Sequence, residues 1–168
     1  METFMKHWHE EMPFTLNDSL TEQIFTEKSL FFDIETTGFS AARTSLYLIG
    51  CAARKKNLLI VDQFFAETPA DESDVLHAFL DYLKNFDTII TFNGIGFDIP
   101  YLTNKCQKYK IPEPFSAYEY VDIYKMISGF RFLFALPNLK QKTVEQFIGL
   151  EREDAYNGGE LIDVYKAC

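Results

Sequence analysis

The chain has 168 residues, of which 47% are hydrophobic and 16% aromatic, so it can bury one real core and is too apolar for a disordered segment. Its formal net charge of −9 runs against a simple polyanion-binding surface, but the excess is local: residues 1–100 carry 7 Lys/Arg against 16 Asp/Glu, and residues 101–168 carry 9 of each. Cys51, Cys106 and Cys168 are far apart and form no CxxC pair, which argues against a disulfide framework or zinc site and for a reducing, cytoplasmic setting.

In chain order, METFMKHWHEEMPF lacks the uninterrupted apolar stretch of a signal peptide, and no later run approaches the ~20 apolar residues that span a bilayer. Residues 1–28 are read as an N-terminal extension, in which His7 and His9 are exposed rather than metal-bound. Residues 29–34 (SLFFDI) predict a buried strand. Residues 45–53 (SLYLIGCAA) and 58–65 (LLIVDQFF) predict two more, joined by the polar Arg54-Lys55-Lys56-Asn57 as a hairpin. Residues 71–83 have helical spacing, with Val75, Leu76, Phe79, Leu80 and Leu83 on one side. A fourth strand (88–92) leads into a helix over about 99–109, with Pro100 tolerated in its first turn. A fifth strand (118–124) follows. The pattern then turns helical, with Asn138 and Gly149 as start and stop signals and a last helix from near Gly159. The expected architecture is α/β: a mixed five-stranded sheet with an antiparallel hairpin and flanking helices.

Two segments carry chemistry. In Asp33-Ile34-Glu35-Thr36-Thr37-Gly38, strand alternation points Asp33 and Glu35 to one side and Phe32 and Ile34 to the other. Two neighbouring carboxylates in a sheet repel and resist desolvation, and a hard cation, magnesium or manganese, offsets both costs. The TTG turn then lets a substrate approach the backbone. The plainer alternative is a strand end with two solvated acids. In residues 91–102 (TFNGIGFDIPYL), Asp98 sits between a strand and a helix, where an N-cap role would also suit it. Gly94-x-Gly96 hints at a dinucleotide loop but lacks the third glycine.

DIETTG (33–38) followed by FNGIGFDIPYL (92–102) resembles motifs one and two of the DnaQ-like (DEDD) 3′–5′ exonuclease superfamily. LYLIGCA and KTVEQFIGLERED are similar to the family of predicted exonucleases like YprB. The resemblance covers residues 29–168. It implies a ribonuclease H-like fold that hydrolyses phosphodiesters of DNA or RNA, with Asp33, Glu35 and Asp98 as catalytic ligands of a two-metal site holding Mg2+ or Mn2+. Asp33 would bridge the ions, with Glu35 and Asp98 each completing one side. Thr36, Thr37, Asn93 and Phe97 are the implied substrate contacts.

The same pattern requires a fourth carboxylate, four residues after a His or Tyr, on a late helix. His77 and Asp81 precede motif two, Tyr118 and Asp122 fall on a strand, and Tyr156 and Glu160 straddle a turn. Asp154, Glu160, Asp163 or Asp122 could substitute, or could be surface acids or caps. The expectation is a domain truncated before motif three and weakly active or inactive in isolation. A non-catalytic nucleic-acid-binding module and a nucleotide-binding or structural domain are the other readings. Basic residues for a phosphate track are scattered: Arg54, Lys55 and Lys56 at the hairpin tip, Lys105 and Lys108, and Lys140 and Lys142. Phe130, Phe132 and Phe134 around Arg131 either stack bases or line a buried amphipathic segment.

Overall fold

The hairpin expected at residues 54–57 forms because the two apolar runs flanking it pair along their whole length. In the computed structural model, β3 (Leu46–Lys55) and β4 (Leu58–Ala66) are antiparallel, with Lys55 opposite Leu58, and Lys56 closes the turn at φ 54°. The structure describes residues 5–16, 18–150 and 158–167. On the other side of β3, β2 (Ser29–Thr36) is antiparallel to it and parallel to β5 (Thr88–Thr91), which is parallel to β6 (Glu119–Asp122).

A sixth strand completes the sheet. β1 (Met5–Pro13) pairs antiparallel with β4 from Met5 opposite Ala66 to Pro13 opposite Leu58, giving the order β1-β4-β3-β2-β5-β6. The sequence reading left these residues without an element, for a physical reason. Seven of the nine are exposed and the other two only partly covered, so the strand is held by its ladder and carries no buried stripe for a periodicity argument to find.

The helices of this part are α1 (Ser19–Ile24), capped by the Asp18 carboxylate, α2 (Glu72–Leu83) and α3 (Asp98–Tyr109). Val75, Leu76, Phe79, Leu80 and Leu83 of α2 are all buried, as their spacing predicted, against Leu30, Phe32, Ile34, Ile49, Cys51 and Phe64 of the sheet. The Phe32 and Phe79 rings meet at 4.9 Å. Each such Leu or Phe contributes about 1.5–3 kcal/mol relative to exposure. Phe32 and Ile34 face this core, so Asp33 and Glu35 face away from it.

Residues 1–122 form one compact unit and 123–168 a second. The second contains α4 (Ile123–Ser128), α5 (Arg131–Phe134), α6 (Gln141–Phe147) and α7 (Gly158–Ala167). Phe134 packs edge-on to Phe147, but Phe130 and Phe132 are largely exposed. A helix of a single turn such as α5 cannot cover side chains on every side. Among the described residues, no helix is long and apolar enough to cross a membrane.

Candidate active site

The site begins with a mismatch in strand length. β5 pairs with β2 only at Ser29, Leu30 and Phe31, while β2 runs on to Thr36. The backbone beyond Phe31 therefore has no strand on that side. Asp98, the first residue of α3, fills the gap: its Oδ1 accepts the Ile34 N–H at 3.1 Å. Phe97 is the N-cap and caps with no side-chain bond, so Asp98 is not serving its own helix as an N-cap. It is 5% exposed.

Asp33 and Glu35 flank Ile34 on the face away from α2. Across the ladder Asp33 lies opposite Gly50 and Glu35 opposite Leu48. A Cβ at Gly50 would meet nothing within 4 Å, which leaves room beside Asp33. Burial pushes Asp98 up to about 7, and the Asp33 charge pushes the same way. Glu35 is raised by burial and by Asp33, with the Tyr47 hydroxyl opposing. Asp33 is thus the electrostatic neighbour of both other acids. Asp33, Glu35 and Asp98 do not bring three ligand atoms within 4.8 Å of one another; among the described residues, only His7, His9 and Asp62 do. Three carboxylates of this kind suit a hard divalent cation.

A β-bulge turns Tyr47 to the side of Glu35, although its buried hydroxyl makes no hydrogen bond of normal geometry to the carboxylate. Glu35 pairs with Leu48 and Thr36 with Leu46, so Tyr47 is the extra residue. Strict alternation would put it beside Ile49 on the core face; the bulge turns it toward the acids and against Phe65, at 6.5 Å between rings. Nothing in a sequence pattern of apolar residues announces this.

The expected substrate contacts divide. Thr36 is 8% exposed and donates to the Gly38 carbonyl at 2.9 Å. The Thr37 hydroxyl accepts the Ser45 N–H at 2.8 Å. Both hydroxyls shape the turn, which leaves the backbone as the surface offered there. Asn93 is exposed at φ 66°, and its Oδ1 sits 2.9 Å from where a Cβ at Gly96 would be. A Cβ at Gly94 would lie 2.6 Å from the Thr91 side chain. The two glycines are therefore explained by close packing within the loop, without a dinucleotide.

Asp122 proves to be the clamp of this loop. It is 4% exposed, with Oδ1 accepting the Asn93 N–H at 2.9 Å and Oδ2 the Ile95 N–H at 3.2 Å. Both oxygens are committed to backbone, which argues against its substituting as a fourth metal ligand. His77 and Asp81 ride on α2, across the sheet from the acids, and Asp81 pairs with Lys84. Asp154 and Tyr156 lie outside the described residues. Glu160 and Asp163 lie on α7 in the second unit.

A run of aromatic rings follows the TTG turn and the start of α3, and sequence reasoning found only part of it. Phe39, directly after the TTG turn, is 93% exposed and meets Phe97 edge-on at 6.0 Å, and Phe97 meets Tyr101 at 5.7 Å. Phe39, Ala41, Phe97, Pro100 and Asn104 line an open cleft of about 300 Å³. The missed signal was position: an aromatic following a glycine turn has no core to enter. Two of the scattered basic residues are used otherwise. Lys105 is 1% exposed and pairs with Glu72 at 2.6 Å, and Lys108 reaches the same carboxylate at 2.9 Å.

Comparison with known proteins agrees with this fold. A family model for the RNase_H superfamily matches residues 30–167. A DNA polymerase of Pyrococcus glycovorans is 34% identical over 96 residues, which is 52% of this chain and 12% of the polymerase. A family B DNA polymerase from Pyrobaculum calidifontis superposes on 82% of the chain with a TM-score of 0.66 at 20% identity, over 21% of its own length. Exonuclease I of E. coli, in its zinc ion-bound complex with ssDNA, superposes on 83% with a TM-score of 0.60 at 14% identity, over 39% of its length. The chain thus spans a minor part of each, and the two structural likenesses speak for the fold.

Proposed function

The chain belongs to the RNase_H superfamily, and from that membership we propose that it is a nuclease domain of the 3′–5′ exonuclease type whose metal site is Asp33, Glu35 and Asp98. The observation that carries this reading is the seating of Asp98 on the Ile34 amide, buried beside Asp33 where β5 has ended. A carboxyl drawn into that gap, its pKa pushed up by burial and then by the Asp33 charge, is an arrangement that a divalent cation would relieve. Exonuclease-type relatives with single-stranded DNA among their solved complexes support a nucleic-acid substrate.

Asp33, Glu35 and Asp98 would hold Mg2+ or Mn2+, which when bound supplies an activated water and neutralises phosphate charge. The protein's own residues do the positioning. Ile34 fixes the Asp98 carboxylate, and Asp122 holds the Asn93–Phe97 loop through the Asn93 and Ile95 amides. Phe39 and Phe97 offer ring faces and edges for a base. A non-catalytic binding module is the second reading, favoured by the commitment of both Asp122 oxygens to backbone amides.

Manganese titration followed by thermal unfolding tests the site. At a hundredfold excess over Kd the stabilisation is about 2.7 kcal/mol, or roughly 5–10 °C for a domain of this size. Asp33→Ala is expected to abolish the shift; a parent that shows none has no such site. On labelled single strands the isolated chain is expected to act weakly or not at all. Robust magnesium-dependent shortening that Asp98→Asn abolishes would overturn this and show that a fourth acid is supplied from within the chain. Phe39→Ala is expected to weaken single-strand binding by about 1–3 kcal/mol with an unchanged melting temperature, measured by fluorescence anisotropy. Unaltered affinity would remove Phe39 from the binding surface.

A further inference from the structure

We propose that His7, His9 and Asp62 form a second metal site, for a divalent transition-metal ion of the zinc class, which fastens the edge strand β1 to β4. His7 and His9 are two apart on β1, so their rings share a face. His9 lies directly opposite Asp62 in the ladder and His7 opposite Phe64, two residues on. His7 Nε2 stands 2.7 Å and His9 Nδ1 2.8 Å from the same oxygen, Asp62 Oδ1.

Three features mark this as more than a pair of surface histidines. Asp62 is 2% exposed, and its other oxygen, Oδ2, is buried with no hydrogen bond of normal length among the described residues, although the Tyr82 hydroxyl stands beside the carboxylate. A buried carboxylate left partly unmet is costly, and a cation offsets that cost. The His7 ring is stacked on Phe64 at 4.8 Å and 7°, which fixes its plane. The far nitrogen of His9, Nε2, has the Glu11 carboxylate at 3.7 Å, the outer carboxylate that commonly orients a metal-bound imidazole.

The ligand set also selects the ion. Two imidazoles and one carboxylate suit zinc, copper, nickel or ferrous iron better than magnesium. Zinc bonds of about 2.0–2.1 Å separate tetrahedral donors by roughly 3.3 Å, so the two nitrogens need open from Oδ1 by only about half an ångström. Each imidazole then gives its lone pair at the nitrogen now facing Asp62 and carries its proton on the other. The exposed side of the histidines leaves the remaining coordination position to water. An ion here adds a tie between two strands joined by their backbone ladder, the His7–Phe64 stack and the Lys6–Glu67 ion pair, and β1 buries little that would hold it in place.

Zinc competition against a chromophoric chelator, using the full chain, tests the site. One ion per chain is expected, bound at least tenfold more weakly by the His7→Ala/His9→Ala variant and with unchanged affinity by Asp33→Ala. Loss in Asp33→Ala with no change in the histidine variant would place the zinc on the acid cluster and overturn the proposal. Cobalt gives a reading that needs no variant: the parent should show intense visible d–d absorption of an ordered low-coordinate site, and an aquo-ion spectrum would overturn it. Bound zinc should also slow amide exchange of β1 specifically. The three acids and this site respond to different substitutions, so either can fail alone.

Discussion

Glu72→Ala is expected to destabilise the protein by about 3–5 kcal/mol, the range for breaking one side of a buried ion pair. Glu72 is fully buried and stands at the meeting point of three elements. Its Oε1 accepts the Leu46 N–H at 2.6 Å and meets Lys105 Nζ at 2.6 Å, while Oε2 takes Lys108 at 2.9 Å and the Tyr109 hydroxyl at 2.5 Å. Lys105 in turn donates to the Thr44 carbonyl at 2.5 Å. Removing the carboxylate leaves a buried ammonium with one neutral acceptor and frees the start of β3 and the end of the turn that carries Phe39.

Burial works to raise the Glu72 pKa, but Lys105, Tyr109, the Leu46 amide and Lys108 together bring it below the ordinary value. Its contribution is therefore present above about pH 4.5 and lost as pH falls through the lower folded value. Urea denaturation at pH 7 measures the loss, and a change under about 1 kcal/mol would refute the assignment. Glu72→Gln with Lys105→Met should recover much of the stability, because both charges then leave together.

Asp98→Asn should act with the opposite sign. In the metal-free protein Asp98 is raised to about 7 by burial and by Asp33, so the folded state holds a proton that the unfolded state releases near pH 4. The parent should lose stability progressively as pH rises from about 4 to 7. Asn keeps an oxygen for the Ile34 N–H and carries no charge. In chelator the variant should match the parent near pH 4 and exceed it at pH 8, where manganese should rescue the parent alone. A pH-independent difference between the two proteins would mean that the Asp98 charge is not under strain.

The fold, and the shared face of Asp33 and Glu35, were legible where burial imposes a period. The α2 stripe, the hairpin and the Asp33–Glu35 alternation follow from spacing that hydrophobic packing enforces, and Asp98 was found through a motif. Three features were not legible, and each depends on contacts far apart in sequence. β1 carries no apolar stripe. Asp122 binds two backbone amides 27 and 29 residues earlier, so its sequence neighbours say nothing of its role. Lys105 looked like an exposed cation on a helix, and only the tertiary arrangement brings it to Glu72. Tyr47 was hidden by the bulge, since a one-residue slip in pairing inverts the parity on which the reading relied.

The early end of β5 has a consequence for how this protein can vary. A hydrogen-bond rung that a neighbouring strand would ordinarily occupy serves here as a socket for a carboxylate. Had the backbone after Thr91 continued alongside β2, Phe92 and Asn93 would compete for the edge where Asp98 now docks. Insertions within residues 92–97 are tolerable if they bulge outward, whereas even short changes that prolong pairing would evict the acid. What must be preserved in that stretch is less a set of side chains than a refusal to continue the sheet.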